Sequence, residues 1–321
     1  MQISVVMCTR NRAEQLGRVL QSAAAMRVPE GLDWEFLLVD NGSTDATASV
    51  AESFSDRLPI RLVSEPVAGL SHARNRGVAE ARGDYICWTD DDVEIDGEWL
   101  AAYAGAFERH PDGAFFGGRV IPVLEGQTPV WFTENRAMLT GLLADRDLGE
   151  MPIALSAAEN TLPYGANYAV RAVDQRRHRY DADLGVGPGH KRLGEETQVL
   201  LAIIADGGKG YWVPGSRVEH LIPPARQTID YVKVYNMSAG QTWAYLDHLG
   251  PDNFLGPSPP PGGRRWRGTP LYIWRKALTH WLHYLRSRNR APTSRWLHHW
   301  IQYSYYRGAI DFWAQRRHGQ R

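Results

Sequence analysis

Gly83-Asp84-Tyr85-Ile86-Cys87-Trp88-Thr89-Asp90-Asp91-Asp92 is an apolar run that ends in three consecutive carboxylates. Adjacent carboxylates repel one another, and a hard divalent cation, which takes carboxylate oxygens, relieves that repulsion. Two upstream stretches have the same build. Ile3-Ser4-Val5-Val6-Met7-Cys8 runs into Thr9-Arg10-Asn11-Arg12, and Phe36-Leu37-Leu38-Val39-Asp40 into Asn41-Gly42-Ser43-Thr44-Asp45. A further strand-like run is Ile60–Ser64. Between them the spacing predicts helices over Arg12–Ala25, Ala46–Phe54 and Ser71–Glu80, opened by Asn11, Ser43 and Ser71 as capping residues. Short strands alternating with helices read as βαβ units on a mixed, mainly parallel sheet flanked by helices, an α/β fold of Rossmann-like type. Ligands of such sheets bind beyond the carboxyl ends of the strands, so the chemistry belongs in the loops that follow them.

Beyond Trp99 the pattern predicts a helix to about His110, a strand at Ala114–Val120 and a polar stretch to about Asn160. A strand at Tyr168–Val170, a helix at Glu195–Ala205 and two strands, Tyr211–Val213 and Val218–Leu221, follow. The Gly-rich segment Gly185-Val186-Gly187-Pro188-Gly189 lacks GxGxxG spacing and follows no strand, so it is not read as a phosphate loop. P-loop, HExxH and GxSxG patterns do not occur, which excludes P-loop NTPase, zincin and serine-hydrolase chemistry. Two cysteines, Cys8 and Cys87, make neither a disulfide framework nor a thiolate zinc site.

Net charge is zero over 321 residues, but it is not evenly spread. Arg264–Arg321 holds 13 Lys and Arg against the single acid Asp311, and six of the twelve tryptophans. The rest of the chain holds 23 basic against 35 acidic residues. A Pro- and Gly-rich linker, Gly250–Gly263, precedes the basic tail. Within the tail, Leu271, Trp274, Leu278, Trp281, Leu282 and Leu285 recur at helical spacing with Arg275, Lys276, Arg286 and Arg288 among or just beyond them. Basic amphipathic helices with Trp suit an anionic membrane surface. Packing against the acidic body is the rival reading, and nucleic acid, which is not expected as a partner, the third.

The strand-end motifs, together with Gly69-Leu70-Ser71-His72-Ala73-Arg74-Asn75-Arg76-Gly77, Gly165-Ala166-Asn167, Gly194-Glu195-Glu196-Thr197 and Val218-Glu219-His220, resemble glycosyltransferase family 2. These are inverting nucleotide-sugar transferases of the GT-A fold. The likeness covers roughly residues 1–225, with seven motifs in register. It implies a GT-A domain over 1–225, whose nucleotide-binding half is 1–105 and acceptor-binding half 106–225. A helix and linker over 226–263 and a basic helical tail over 264–321 follow.

By that resemblance Thr9, Arg10, Asn11, Asp40, Asn41 and Arg74 would bind the nucleotide. Asp90 and Asp92 match the outer members of the family's Asp-x-Asp, with Asp90 near the ribose, Asp92 a ligand of Mn²⁺ or Mg²⁺, and Asp91 assisting between them. Asp90 and His220 complete the candidate metal ligands. An inverting transfer needs a base for the acceptor hydroxyl. The family's Glu-Asp pair becomes Glu195-Glu196 here, so Glu196 takes the base position and Glu195 is the alternative. A second departure is Ala202, where the family often carries Arg. The expected activity is hexosyl transfer from a UDP-sugar to a glycan or lipid-linked acceptor. The alternatives are a nucleotidyltransferase with a similar core and a non-catalytic nucleotide-binding protein. The opening residues show no basic, cleavable leader, which predicts a cytoplasmic protein, peripheral on the cytoplasmic face of a membrane if the tail binds lipid.

Overall fold

The computed structural model describes residues 1–250, 263–290 and 292–319. Apart from its two end residues, the Gly250–Gly263 linker lies outside them. Strands β1 (Gln2–Thr9), β2 (Asp33–Asp40), β3 (Ile60–Ser64) and β4 (Tyr85–Asp90) pair in parallel in the order β3-β2-β1-β4. β1 is apolar on both faces because both are covered. Ile3, Val5 and Met7 pack with Phe36, Leu38 and residues Leu16, Val19 and Leu20 of helix α1 (Ala13–Ala23). Val6 packs with Leu37, Val39 and residues Ala73 and Val78 of helix α3 (Leu70–Glu80). A parallel strand covered on both faces reads as a continuous apolar run rather than an alternation. The register sets Thr9 beside Asp40 and Cys8 beside Asp90, so three strand-end loops open on one edge. Helix α2 (Thr47–Glu52) joins β2 to β3.

Antiparallel strands extend this core. β5 (Val93–Ile95), β6 (Gly113–Leu124), β7 (Ala154–Leu155), β8 (Asn167–Arg171) and the long strand Lys209–Ile222 complete a mixed nine-stranded sheet. β8 lies between β4 and β6, antiparallel to both. The two strands expected at 211–213 and 218–221 are one, because Pro214-Gly215 makes no turn. Pro214 falls between the residues that pair with β7, Gly210 and Tyr211, and those that pair with β5, Val218–His220. The polar stretch after β6 contains short helices, Val130–Glu134 and Thr140–Leu143.

The chain divides into two compact units. The first comprises residues 1–123, 143–188 and 194–221 and carries the sheet. The second gathers 124–142, 189–193 and the chain from Ile222 onward. Side chains explain the gathering. Gln227 Nε2 donates to the carbonyls of Glu125 and Ile222, the Leu193 N–H donates to Thr242, and the Arg192 guanidinium lies 4.9 Å from the Tyr245 ring.

Helices Ile229–Leu249, Leu271–Ser287 and Thr293–Gly319 dominate the second unit. The first and third cross closely at glycines: a Cβ at Gly240 would overlap the Tyr305 carbonyl, and one at Gly308 that of Met237. The 271–287 helix buries Ile273 and Ala277 but leaves Leu278, Trp281, Leu282 and Leu285 exposed. Beside them, burial and the neighbouring imidazoles push the His280 ring down to about 4. Among the described residues no helix is long and apolar enough to cross a membrane.

Candidate active site

A cleft of about 520 Å³ opens at the sheet's carboxyl edge, lined in part by Thr9, Arg10, Arg12, Asn41, Asp91 and the loop Val186–Pro188. The first two loops brace each other. Asn11, with a positive φ of 52°, accepts from the Thr44 N–H at 2.8 Å, while its own N–H donates to Ser43 at 2.9 Å. Asp45 accepts from the Ala13 N–H of α1 at 3.1 Å and from the Thr47 N–H of α2 at 3.0 Å. The expected capping by Asn11 and Ser43 is not seen; the two residues are instead ties across two loops. Asp40 holds its loop by accepting from the Ser43 N–H. Asn41 lines the cleft, yet its amide donates to the carbonyls of Glu65 and Val67 and accepts from the Gly69 N–H. Both its donors and one of its two acceptor positions shape the wall.

The Gly-rich segment set aside in sequence forms the facing wall. Ser71, inside the first turn of α3 rather than capping it, donates to the Leu184 carbonyl at 2.7 Å. Asn75, one turn on, exchanges two hydrogen bonds with the Tyr180 backbone. At Gly185, whose φ is 80°, a Cβ would stand 3.1 Å from Ser71 Oγ, so only glycine sits there without strain. The spacing of Ser71 and Asn75 was the available signal for this wall. Arg12, which no sequence argument assigned, is also on the cleft, with Nε 3.8 Å from Asp91.

Asp90 ends β4, and Asp91 and Asp92 form the turn into β5. Thr9 Oγ1 donates to Asp91 at 2.7 Å, so the ends of β1 and β4 are joined through side chains. Burial, with repulsion from Asp92, pushes Asp91 up to about 7 despite that bond. Asp90 is also raised, by burial against the pull of Arg74. His220, buried on the long strand, faces the Leu143 carbonyl through Nδ1 at 2.8 Å. A carbonyl only accepts, so Nδ1 donates there, and Nε2 lies 3.8 Å from Asp92 Oδ2. One imidazole nitrogen beside one carboxylate, with two more carboxylates adjacent, is a donor set that fits Mn²⁺ or Mg²⁺.

Arg74 is buried between two carboxylates. Its side chain is 4% exposed and off the cleft wall, with Nη1 3.0 Å from Glu195 and Nη2 3.4 Å from Asp90. The guanidinium also lies under 6 Å from the rings of Trp88, Tyr168 and Tyr180. It is a strut that joins the end of β4 to the start of the Glu195–Ala205 helix. Gly165 makes room for it, since a Cβ there would stand 2.9 Å from Arg74 Nη2. Asn167 is equally internal: its oxygen accepts from Trp99 and Tyr103, and its amide donates to the carbonyls of Arg119 and Ser216.

Gly194, in the left-handed region at φ 86°, delivers Glu195 and Glu196 to the helix N-terminus. Glu195 is buried and spent on Arg74. Burial and the charge of Glu195 push Glu196 up to about 7. Of the pair, Glu196 has the poise of a proton acceptor at neutral pH.

Comparison with known proteins agrees with this geometry. The profile of glycosyl transferase family 2 matches residues 4–155. The chain is 26% identical over 256 residues to the glucosyl-dolichyl phosphate glucuronosyltransferase of Haloferax volcanii, covering 78% of this chain and 79% of that one. It is 26% identical over 248 residues to the succinoglycan biosynthesis protein ExoM of Rhizobium meliloti, at 76% and 74% coverage. Its fold is similar to that of the mannosyltransferase PcManGT from Pyrobaculum calidifontis, solved with GDP-Man and Mn²⁺, at a TM-score of 0.57 and 15% identity over 96% of this chain and 86% of that one. Motif order, sheet topology and the profile match lead to one assignment: residues 4–155 match glycosyl transferase family 2, and the fold is of the GT-A type.

Proposed function

We propose that the protein is a metal-dependent, inverting hexosyltransferase. It moves a sugar from a nucleoside diphosphate sugar, a UDP-sugar by family resemblance, to a hydroxyl of a glycan or lipid-linked acceptor. The observation that carries this reading is the Asp90–Arg74–Glu195 chain of ion pairs, which couples the strand-end carboxylates to the helix start bearing Glu196. A nucleotidyltransferase has no use for a base held in that way.

Thr9, Arg10, Asp91 and the Val186–Pro188 wall would hold the nucleotide in the cleft they line, with Arg12 balancing charge near the diphosphate. Asp92, Asp90 and His220 would hold Mn²⁺ or Mg²⁺, which when bound supplies Lewis-acid stabilisation of the departing diphosphate. Glu196 would take the acceptor hydroxyl's proton. The freed oxygen attacks the anomeric carbon opposite the diphosphate, the bond from that carbon to the phosphate oxygen breaks, and the nucleoside diphosphate leaves with the electron pair. Configuration at the carbon inverts.

The 271–287 helix supports a peripheral position on an anionic membrane. Its exposed Leu278, Trp281, Leu282 and Leu285 stand beside exposed Arg275, Lys276 and Arg286, the pattern of an interfacial helix. A lipid-linked acceptor would be met there.

The test is titration of UDP, GDP and dTDP into the full-length protein with and without Mn²⁺ or Mg²⁺. The matching nucleotide sugars are then supplied with lipid-linked and oligosaccharide acceptors, and the anomeric configuration of the product is read by NMR. Metal-dependent binding of one nucleotide and an inverted product are expected. Binding of no nucleotide with any metal, or a retained configuration, overturns the reading.

A further inference from the structure

We propose that His280, His298 and His299 form a second metal site, for a borderline divalent cation of the zinc class, that clamps the helices Leu271–Ser287 and Thr293–Gly319. It is remote in chemistry from the oxygen-rich set around Asp92 and independent of the transferase reading. One ligand nitrogen from each of the three rings lies within 4.8 Å of the others. His280 Nδ1 and His299 Nδ1 face each other at 3.1 Å. Two nitrogens bound at ~2.0–2.1 Å to one tetrahedral Zn²⁺ stand about 3.3 Å apart, so the rings already have nearly the ligand spacing.

The surroundings favour this use. His283 stacks on His299 with centroids 4.9 Å apart, and the Tyr306 ring stacks on His280 at 5.8 Å, so both ligand rings are held in orientation. His280 and His299 are half-buried and His298 is exposed, which leaves an entry side and room for water as the fourth ligand. Without a cation, one facing nitrogen must carry the proton of the His280–His299 hydrogen bond. On metal binding that proton moves to the ring's other nitrogen, and both Nδ1 lone pairs turn to the ion. Imidazole donors select Zn²⁺ over Mg²⁺, so the site would not compete for the catalytic cation.

The experiment uses the untagged full-length chain, stripped with EDTA, dialysed against Zn²⁺ and then against metal-free buffer, with retained zinc counted by mass spectrometry. His298→Gln/His299→Gln is expected to hold one equivalent fewer than the unmodified chain, whereas Asp92→Ala keeps that equivalent. Zn²⁺ should raise the unfolding temperature of the unmodified chain and not that of the double variant. His298→Gln alone, at an exposed position, serves where the double variant folds poorly, and should weaken retention. No zinc retained by the unmodified chain, or equal retention by the histidine variants, overturns the site.

Discussion

The sheet edge and the helical unit handle polar and apolar groups in opposite ways. At the edge, ionisable side chains are buried: Arg74, Glu195 and His220 are each under 10% exposed and held by specific partners. In the helical unit the buried residues are apolar ones such as Val232, Ile273, Leu297 and Phe312, with Gly240 and Gly308 at the helix crossing, while Leu278 and Trp281 are exposed. Burying charge costs free energy unless partners repay it, and stability alone would favour apolar replacements. Charge is thus concentrated around the proposed site, and the helices are joined by apolar packing and close glycine crossings instead.

Substitutions should separate the two modes. The largest effect belongs to Asp92→Ala, which removes a proposed metal ligand. Transfer should fall ~10³-fold or more, the equivalent of about 4 kcal/mol, with metal-dependent nucleotide binding lost in calorimetry. Arg74→Met leaves Glu195 buried without its cation and should cost about 3–5 kcal/mol in chemical denaturation. If Arg74 acted mainly on the nucleotide, that variant would instead keep its stability and lose only affinity.

Glu196→Gln should lower the turnover rate by roughly 10²-fold or more while nucleotide binding survives. The base works deprotonated, and burial raises Glu196 to about 7, so the rate of the unmodified enzyme should climb as pH rises through about 7 and level off above it. A pH profile that keeps this limb in Glu196→Gln would transfer the role to another group.

Gly240→Ala tests the other region. The added methyl meets the Tyr305 backbone, and overpacking of this kind costs about 1–3 kcal/mol. Thermal unfolding should show it, while Glu196 keeps its pH profile. The smallest change in stability, within about 0.5 kcal/mol, is expected for Trp281→Ser/Leu282→Ser, because both side chains are exposed. That variant should nonetheless lose co-sedimentation with phosphatidylglycerol vesicles, and equal binding by both proteins would remove the membrane role from this helix.

Much of this was legible in the residues themselves. The four parallel strands, the loops after them, the three aspartates and the Glu195-Glu196 helix start all follow from local patterns of apolar runs, turns and helix openings. Such patterns depend on neighbours in the chain, so the sequence by itself determined the order of the first four strands and their helices, the edge on which their loops open and the family resemblance. Tertiary structure alone decided which groups meet across long separations. It made Arg74 a buried strut between Asp90 and Glu195, turned Asn11 and Asp45 into ties between two loops, and laid Val186–Pro188 along the cleft, next to the Ser71–Leu184 bond. It also carried the long strand through Pro214 and brought His280 to His299. A buried ion pair or a helix crossing is chosen by burial and shape complementarity between distant segments, and neither leaves a period or a spacing along the chain to be read.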